Sequence, residues 1–284
     1  MVVRFSVVGL LSNALDSSSS PFKEMTMHFA ELHHQTTPLL IANVWDAASA
    51  VAARKAGYQA TGTSSAAIAA MLGYEDGEAL AFEELLYIVT RIKAVSNLPL
   101  SVDVEAGFGR TPAQIAAHLT SLARLGVAGI NLEDSKVING VRQLADAHEF
   151  ASTLKAVRRA LDEAGYCLFF NIRTDTYLLN HEQALQETLL RGRLYQAAGA
   201  DGLFVPCLTS EQEMAVIARE ITLPLNVMCM PGPAAFGKLK NAGVSRISMG
   251  NFVHSAMQSK LEAFMFAIQS QQSFAGVFVD ESSR

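Results

Sequence analysis

Eight short apolar runs of β-prone character, separated by stretches of helical pattern, constrain the fold of this chain more than any other feature. They are PLLIANVWD from Pro38, QATGTSS from Gln59, PLSVDVEAG from Pro99, GINLEDS from Gly129, CLFFNIRTD from Cys167, GLFVPC from Gly202, PLNVMCM from Pro224 and RISMGNF from Arg246. Strands this continuously apolar suit a parallel sheet covered on both faces, and the segments between them are long enough for crossover helices. Helical patterns fall at residues 47–55, 79–95, 112–125, 147–164, 181–198, 210–220, 233–242 and 253–271. Pro112 and Pro233 stand where helices can begin, because the N–H that proline lacks is unpaired there anyway.

A weak internal repeat reinforces the count. Gly57, Gly126, Gly199 and Gly243 each lie between a helical pattern and a strand run, where a left-handed glycine stops the helix and turns the chain back. Four such joints point to a cyclic α/β architecture, a (β/α)8 TIM-type barrel. The rival is an open doubly wound sheet, but no strand run is followed by GxGxxG or a P-loop.

At 284 residues, half of them hydrophobic, the chain can form one large barrel domain. Residues 25–272 are assigned to it, with 1–24 as a disordered leader and 273–284 as a tail that could pack on another subunit. The leader has one arginine, a short apolar run and serines, and so faintly resembles a targeting segment; otherwise a cytoplasmic location is expected. The net charge is −5 and the basic residues are scattered, so neither nucleic acid nor an anionic membrane is an expected partner. Cys167, Cys207 and Cys229 show neither a disulfide framework nor a zinc spacing, which fits a reducing compartment.

Reactive groups of such a barrel gather at the carboxyl ends of its strands, and these ends are acidic. The third run ends in DVEAGFG (Asp103, Glu105), the fourth in Glu133, Asp134 and Ser135, and the fifth in Arg173 and Asp175, while Asp76 follows the second. Asp103 and Glu105 are two apart and are expected on one side of their strand, with Glu133 arriving from its neighbour. Clustered carboxylates repel unless a cation lies among them, and an all-oxygen set suits Mg²⁺, or alternatively Mn²⁺. The bland alternatives are helix caps, a plain polar turn at Ser64 and Ser65, and a structural ion pair between Arg173 and Asp175. Across the eight strand runs no lysine is available for a Schiff base.

The stretches TGTSSAAIAAMLGYED, DVEAGFG, NLED and NIRTD resemble the isocitrate lyase and phosphoenolpyruvate mutase superfamily, over a span from about Phe29 to the eighth helix. The resemblance implies Asp103 as the direct metal ligand, with Glu105, Glu133 and Asp76 supporting the ion or its waters. It also implies Ser64 and Ser65 as holders of the substrate carboxylate, and Arg173, oriented by Asp175, as the group facing a developing oxyanion. The implied substrate is a small 2-oxo or 2-hydroxy acid, and the implied assembly a dimer of dimers that exchanges its last barrel helix.

Departures narrow the expectation. Classical lyase members resemble one another in a K-K/R-C-G-H loop after the fourth strand, where this chain reads EDSKVINGVRQLAD. Mutase members carry a K-T-N-S gating loop, matched in part by Lys136 and Asn139 alone. Carbon–carbon cleavage in a short-loop member is therefore expected, with residues 135–142 as a mobile lid. P–C bond chemistry and a catalytically silent metabolite binder stand as alternatives.

Overall fold

The computed structural model describes residues 21–232 and 234–278. Eight parallel strands close into a barrel: β1 (Leu39–Val44), β2 (Ala60–Thr63), β3 (Leu100–Asp103), β4 (Gly129–Glu133), β7 (Phe169–Arg173), β8 (Gly202–Phe204), β9 (Leu225–Met228) and β10 (Val244–Ser248). A two-stranded antiparallel hairpin, β5 (Ser135–Ile138) and β6 (Val141–Leu144), interrupts the series after β4.

The helices between strands form where the apolar spacing expects them, among them α2 (Ala47–Lys55), α5 (Pro112–Arg124), α6 (Ala147–Glu163), α7 (Ala184–Ala197), α8 (Glu211–Glu220) and α10 (Phe252–Gln271). Pro112 opens α5 behind the Thr111 cap, whose side chain accepts from Gln114 N. The four joint glycines all have positive φ, and Gly165 makes a fifth joint of the same kind. The helix expected over 79–95 is α4 (Phe82–Val95), and an additional α3 (Ser65–Leu72), not expected, precedes it. Pro233 lies outside the described residues, and α9 (Phe236–Asn241) begins beyond it.

Two further features differ from expectation. Helix α1 (Pro21–Glu31) starts inside the segment assigned to a leader, whose first twenty residues lie outside the described ones. With the short turn Leu32–His34 it closes the amino-terminal mouth of the barrel: Phe29 meets Phe169 edge-on at 5.5 Å, and His33 stacks on Phe169 at 4.2 Å. This floor buries Phe29, Leu32, Leu39, Ile41 and Phe169, each worth about 1.5–3 kcal/mol of transfer free energy, which is why the helix holds to the barrel. The expected lid is a regular hairpin rather than an irregular loop. Asn139 and Gly140 both have positive φ (52° and 77°), the geometry of a tight two-residue β-turn that an Asn-Gly pair favours.

Helix α10 is covered less than the other barrel helices. Of its twenty residues only His254 is buried, edge-on to Trp45 at 4.9 Å, while Leu261, Phe264, Met265 and Phe266 are exposed. The tail after residue 278 lies outside the described residues. No described helix is long and apolar enough to cross a membrane.

Candidate active site at the carboxyl mouth

Strand register brings the charged residues together. Glu133 and Arg173 end adjacent strands as direct partners, and Asp103 is paired with Asn131 one strand further on. Arg173 Nη1 therefore lies 2.8 Å from Glu133 Oε2, while its Nε donates to Asp175 Oδ1 at 2.6 Å. Burial opposes the Arg173 charge, but Glu133 and Asp175 outweigh it and hold the guanidinium above its ordinary value. Burial also pushes the Glu133 carboxyl up, against the pull of Arg173 and Arg142.

Asp134, the first residue beyond β4, joins a different set of partners from Glu133. It is fully buried and accepts from Thr174 Oγ1 (2.7 Å), Asp175 N (3.1 Å), Tyr195 OH (2.7 Å) and Arg191 Nη1 (2.9 Å). The network fixes the backbone of Asp175, and Asp175 in turn orients Arg173.

A cavity of about 300 Å³ opens beside Arg173, and Asp76, Asp103, Ser64, Ser65 and Arg142 share its wall with Arg173. Ser64 is the N-cap of α3 and its side chain accepts from Ala67 N. Ser65 donates to Asp103 Oδ2 from its hydroxyl at 2.8 Å and from its amide at 3.3 Å. The α3 amino terminus thus faces a carboxylate, and Asp103 engages the donors that a substrate carboxylate would need.

Glu105 departs from the expected alternation. The strand ends at Asp103, and Glu105 has a left-handed φ of 47°, so the two acids do not project together. Glu105 instead lines a neighbouring cavity of about 550 Å³ with Glu133, Glu78 and Lys136. Glu78 and Phe108 are left-handed too, and carboxylates hold the strained turn: Glu105 Oε2 accepts from Glu78 N at 2.7 Å, and Glu78 Oε1 from Phe108 N at 2.6 Å. Burial, then Asp76, Asp103 and Glu133, push the Glu105 carboxyl up to about 9. Asp76 is raised by burial and by Asp103.

Arg142 of the hairpin is the residue that sequence reasoning passed over. Its side chain enters the acidic ring, pairing with Glu133, with Asp76 at 3.2 Å and with Asp175 at 3.5 Å. The one signal for it was the Asn139-Gly140 turn, which sets the hairpin register and places Arg142 opposite Val137.

A divalent ion has to suit these residues. Glu105 Oε1 is buried without a hydrogen-bond partner among the described residues, three further carboxylates press on it, and every donor is oxygen. Among the described residues no three His, Cys, Asp or Glu side chains are grouped closely enough to hold a metal ion by themselves. Mg²⁺ needs no such group, since it binds through one or two carboxylates and keeps its waters. The donor chemistry fits.

The chain is 34% identical over 230 residues to an uncharacterized protein of Mycobacterium tuberculosis, covering 81% of this chain and 84% of that one. It is 27% identical over 239 residues to the 2-methylisocitrate lyase of Halalkalibacterium halodurans, covering 79% and 75%. A crystal structure from Burkholderia cenocepacia, provisionally named a phosphonomutase, superposes with a TM-score of 0.81 at 38% identity over 85% of this chain and 99% of that one. The barrel is shared with 2,3-dimethylmalate lyase, at a TM-score of 0.80 and 20% identity over 92% of this chain and 91% of that one. The sequence profile of phosphoenolpyruvate phosphomutase matches residues 29–269, and the chain belongs to that family, within the phosphoenolpyruvate mutase and isocitrate lyase superfamily.

Proposed function

We propose that this protein is a Mg²⁺-dependent lyase, with Mn²⁺ as an alternative ion, that cleaves a C–C bond next to the carbonyl or hydroxyl of a small 2-oxo or 2-hydroxy acid. Oxaloacetate decarboxylation and cleavage of substituted malates are the reactions it fits best. The observation that carries the reading is Arg173, buried at the cavity wall and clamped between Glu133 and Asp175 within reach of the space that Asp103 also lines.

When bound, the ion supplies Lewis acidity for the substrate carbonyl. Asp103 is the proposed direct ligand, with Glu105, Glu133 and Asp76 acting on the ion or its waters. Arg173 presents a fixed positive charge to the enolate-like oxygen left by bond cleavage, and because its partners already hold it in place no reorganisation is needed. Ser64 and Ser65, at the α3 amino terminus, are the donors offered to the substrate carboxylate. Leu178, Phe204 and Met228 give the same cavity an apolar flank that excludes water.

The exposed α10 supports a homo-oligomer in which this helix packs on another copy. The test of the activity is turnover of oxaloacetate and alkyl-substituted malates with and without EDTA. Turnover that EDTA abolishes and Mg²⁺ restores supports the lyase, whereas tight oxalate binding with no turnover marks a silent binder. The family match and the Burkholderia neighbour favour one rival, P–C bond chemistry, which ³¹P NMR of phosphonopyruvate would reveal.

A further inference from the structure

We propose that Arg142 is a built-in cation of the carboxylate ring, that it and a divalent ion exclude one another, and that loading the ion releases the 135–144 hairpin from the mouth. The inference rests on the metal-site reading above. One guanidinium spans acids from three strand ends: Asp76 after β2, Glu133 at the end of β4 and Asp175 after β7. Its Nη1 also donates to Ser135 Oγ at 3.0 Å, and the side chain is 16% exposed. A charge this desolvated is held by its partners and lost from the ring only if something replaces it.

Asp76 and Glu133 are also two of the acids assigned to the ion. A guanidinium in contact with both leaves no room for a second, doubly charged cation on the same oxygens, and like charges at that separation repel strongly in a site with little water. Arg142 does not satisfy the whole ring, however. Glu105 Oε1 is buried without a hydrogen-bond partner among the described residues, on a cavity that Glu133 also lines, a geometric sign that a further cation belongs there.

Loss of the Arg142 contacts frees the hairpin beyond its base, where the buried Ser135 donates from its hydroxyl to Asp175 at 2.5 Å and to Glu133 at 3.3 Å. Val137 packs against Gly77, where an added Cβ would come within 2.5 Å, but Ile138 and Val141 at the tip are half exposed or more. The hairpin is therefore a latch closed by charge rather than by apolar burial.

Mn²⁺ binding to the full chain, followed by electron paramagnetic resonance, tests this in the natural protein, in Arg142→Gln and in Arg142→Lys. Hydrogen exchange of residues 135–144 is read alongside. Arg142→Gln should bind Mn²⁺ at least tenfold more tightly than the natural protein, with Arg142→Lys between them. Saturating Mn²⁺ should speed hairpin exchange in the natural protein at least tenfold, a measurement that needs no variant to fold. Equal affinities with unchanged hairpin exchange overturn the competition and leave the metal site standing. Absence of Mn²⁺ binding in every form overturns both.

Discussion

Asp134→Asn tests whether the platform beneath the active site is built as described. Its carboxylate is fully buried and surrounded by four donors, one of them the Arg191 guanidinium at 2.9 Å. Burial pushes the carboxyl up, against the pull of Arg191 and of the hydrogen bonds from Tyr195, Thr174 and Asp175 N. Oδ2 alone accepts from Thr174, Tyr195 and Arg191, so an amide nitrogen there faces the Arg191 N–H, which can only donate, and in the flipped position it faces Asp175 N. Removing one partner of a buried ion pair costs about 3–5 kcal/mol, and the low end applies because Glu187 still holds Arg191 Nε at 2.7 Å. At about 2–4 °C per kcal/mol for a domain of this size, the melting temperature should fall by roughly 6–12 °C. Urea unfolding followed by circular dichroism measures the loss, and Asp134→Asn combined with Arg191→Met should recover at least half of it by removing both buried charges. A loss under about 1 kcal/mol, or no recovery in the double variant, refutes the argument.

Further outcomes follow from other parts of the molecule. His33 donates from Nδ1 to Phe29 O at 2.9 Å, and its pKa is lowered to about 3, first by burial and then by Arg246. A depressed histidine contributes stability that is present above pH 6.5 and lost as the pH falls toward 3, about 3 kcal/mol by pH 4.5; His33→Phe should flatten unfolding curves taken between pH 6.5 and 4.5. Leu261→Glu on the exposed face of α10 should shift the assembly to smaller species in light scattering after gel filtration, and an unchanged mass would remove α10 from the interface. Arg173→Lys should lower kcat/KM on the best substrate by about 10²–10³ while Mn²⁺ binding stays within a few fold, because the flexible ammonium loses the clamp to Glu133 and Asp175.

What was legible in the sequence is what short-range chemistry dictates. Gly57, Gly126, Gly199 and Gly243 announce the joints because only a left-handed residue turns the chain there, and all four do so. Glu133 and Arg173 were legible as strand ends, and parallel register does the rest. Glu105 was misplaced because alternation holds only inside a strand, and β3 stops two residues short of it. Helix α3 was hidden in an alanine-rich run that reads as apolar strand continuation, although Ser64 and Gly73 cap its two ends.

The residues missed altogether share a different cause: their roles depend on groups far away in sequence. Phe29 and His33 fall within the span assigned to the barrel but precede its first strand run, and only Phe169, some 140 positions on, supplies the floor they cover. Arg142 looks like one scattered basic residue, and only the closed barrel, which carries Asp76, Glu133 and Asp175 to one place, turns it into the counter-charge of the site. Local pattern fixes where a strand ends, but whether its terminal carboxylate meets a metal, a guanidinium or both in turn is decided by loops that enter from outside the repeat. In this fold the repeat builds a mouth lined with acids, and the hairpin after β4 brings a guanidinium into it.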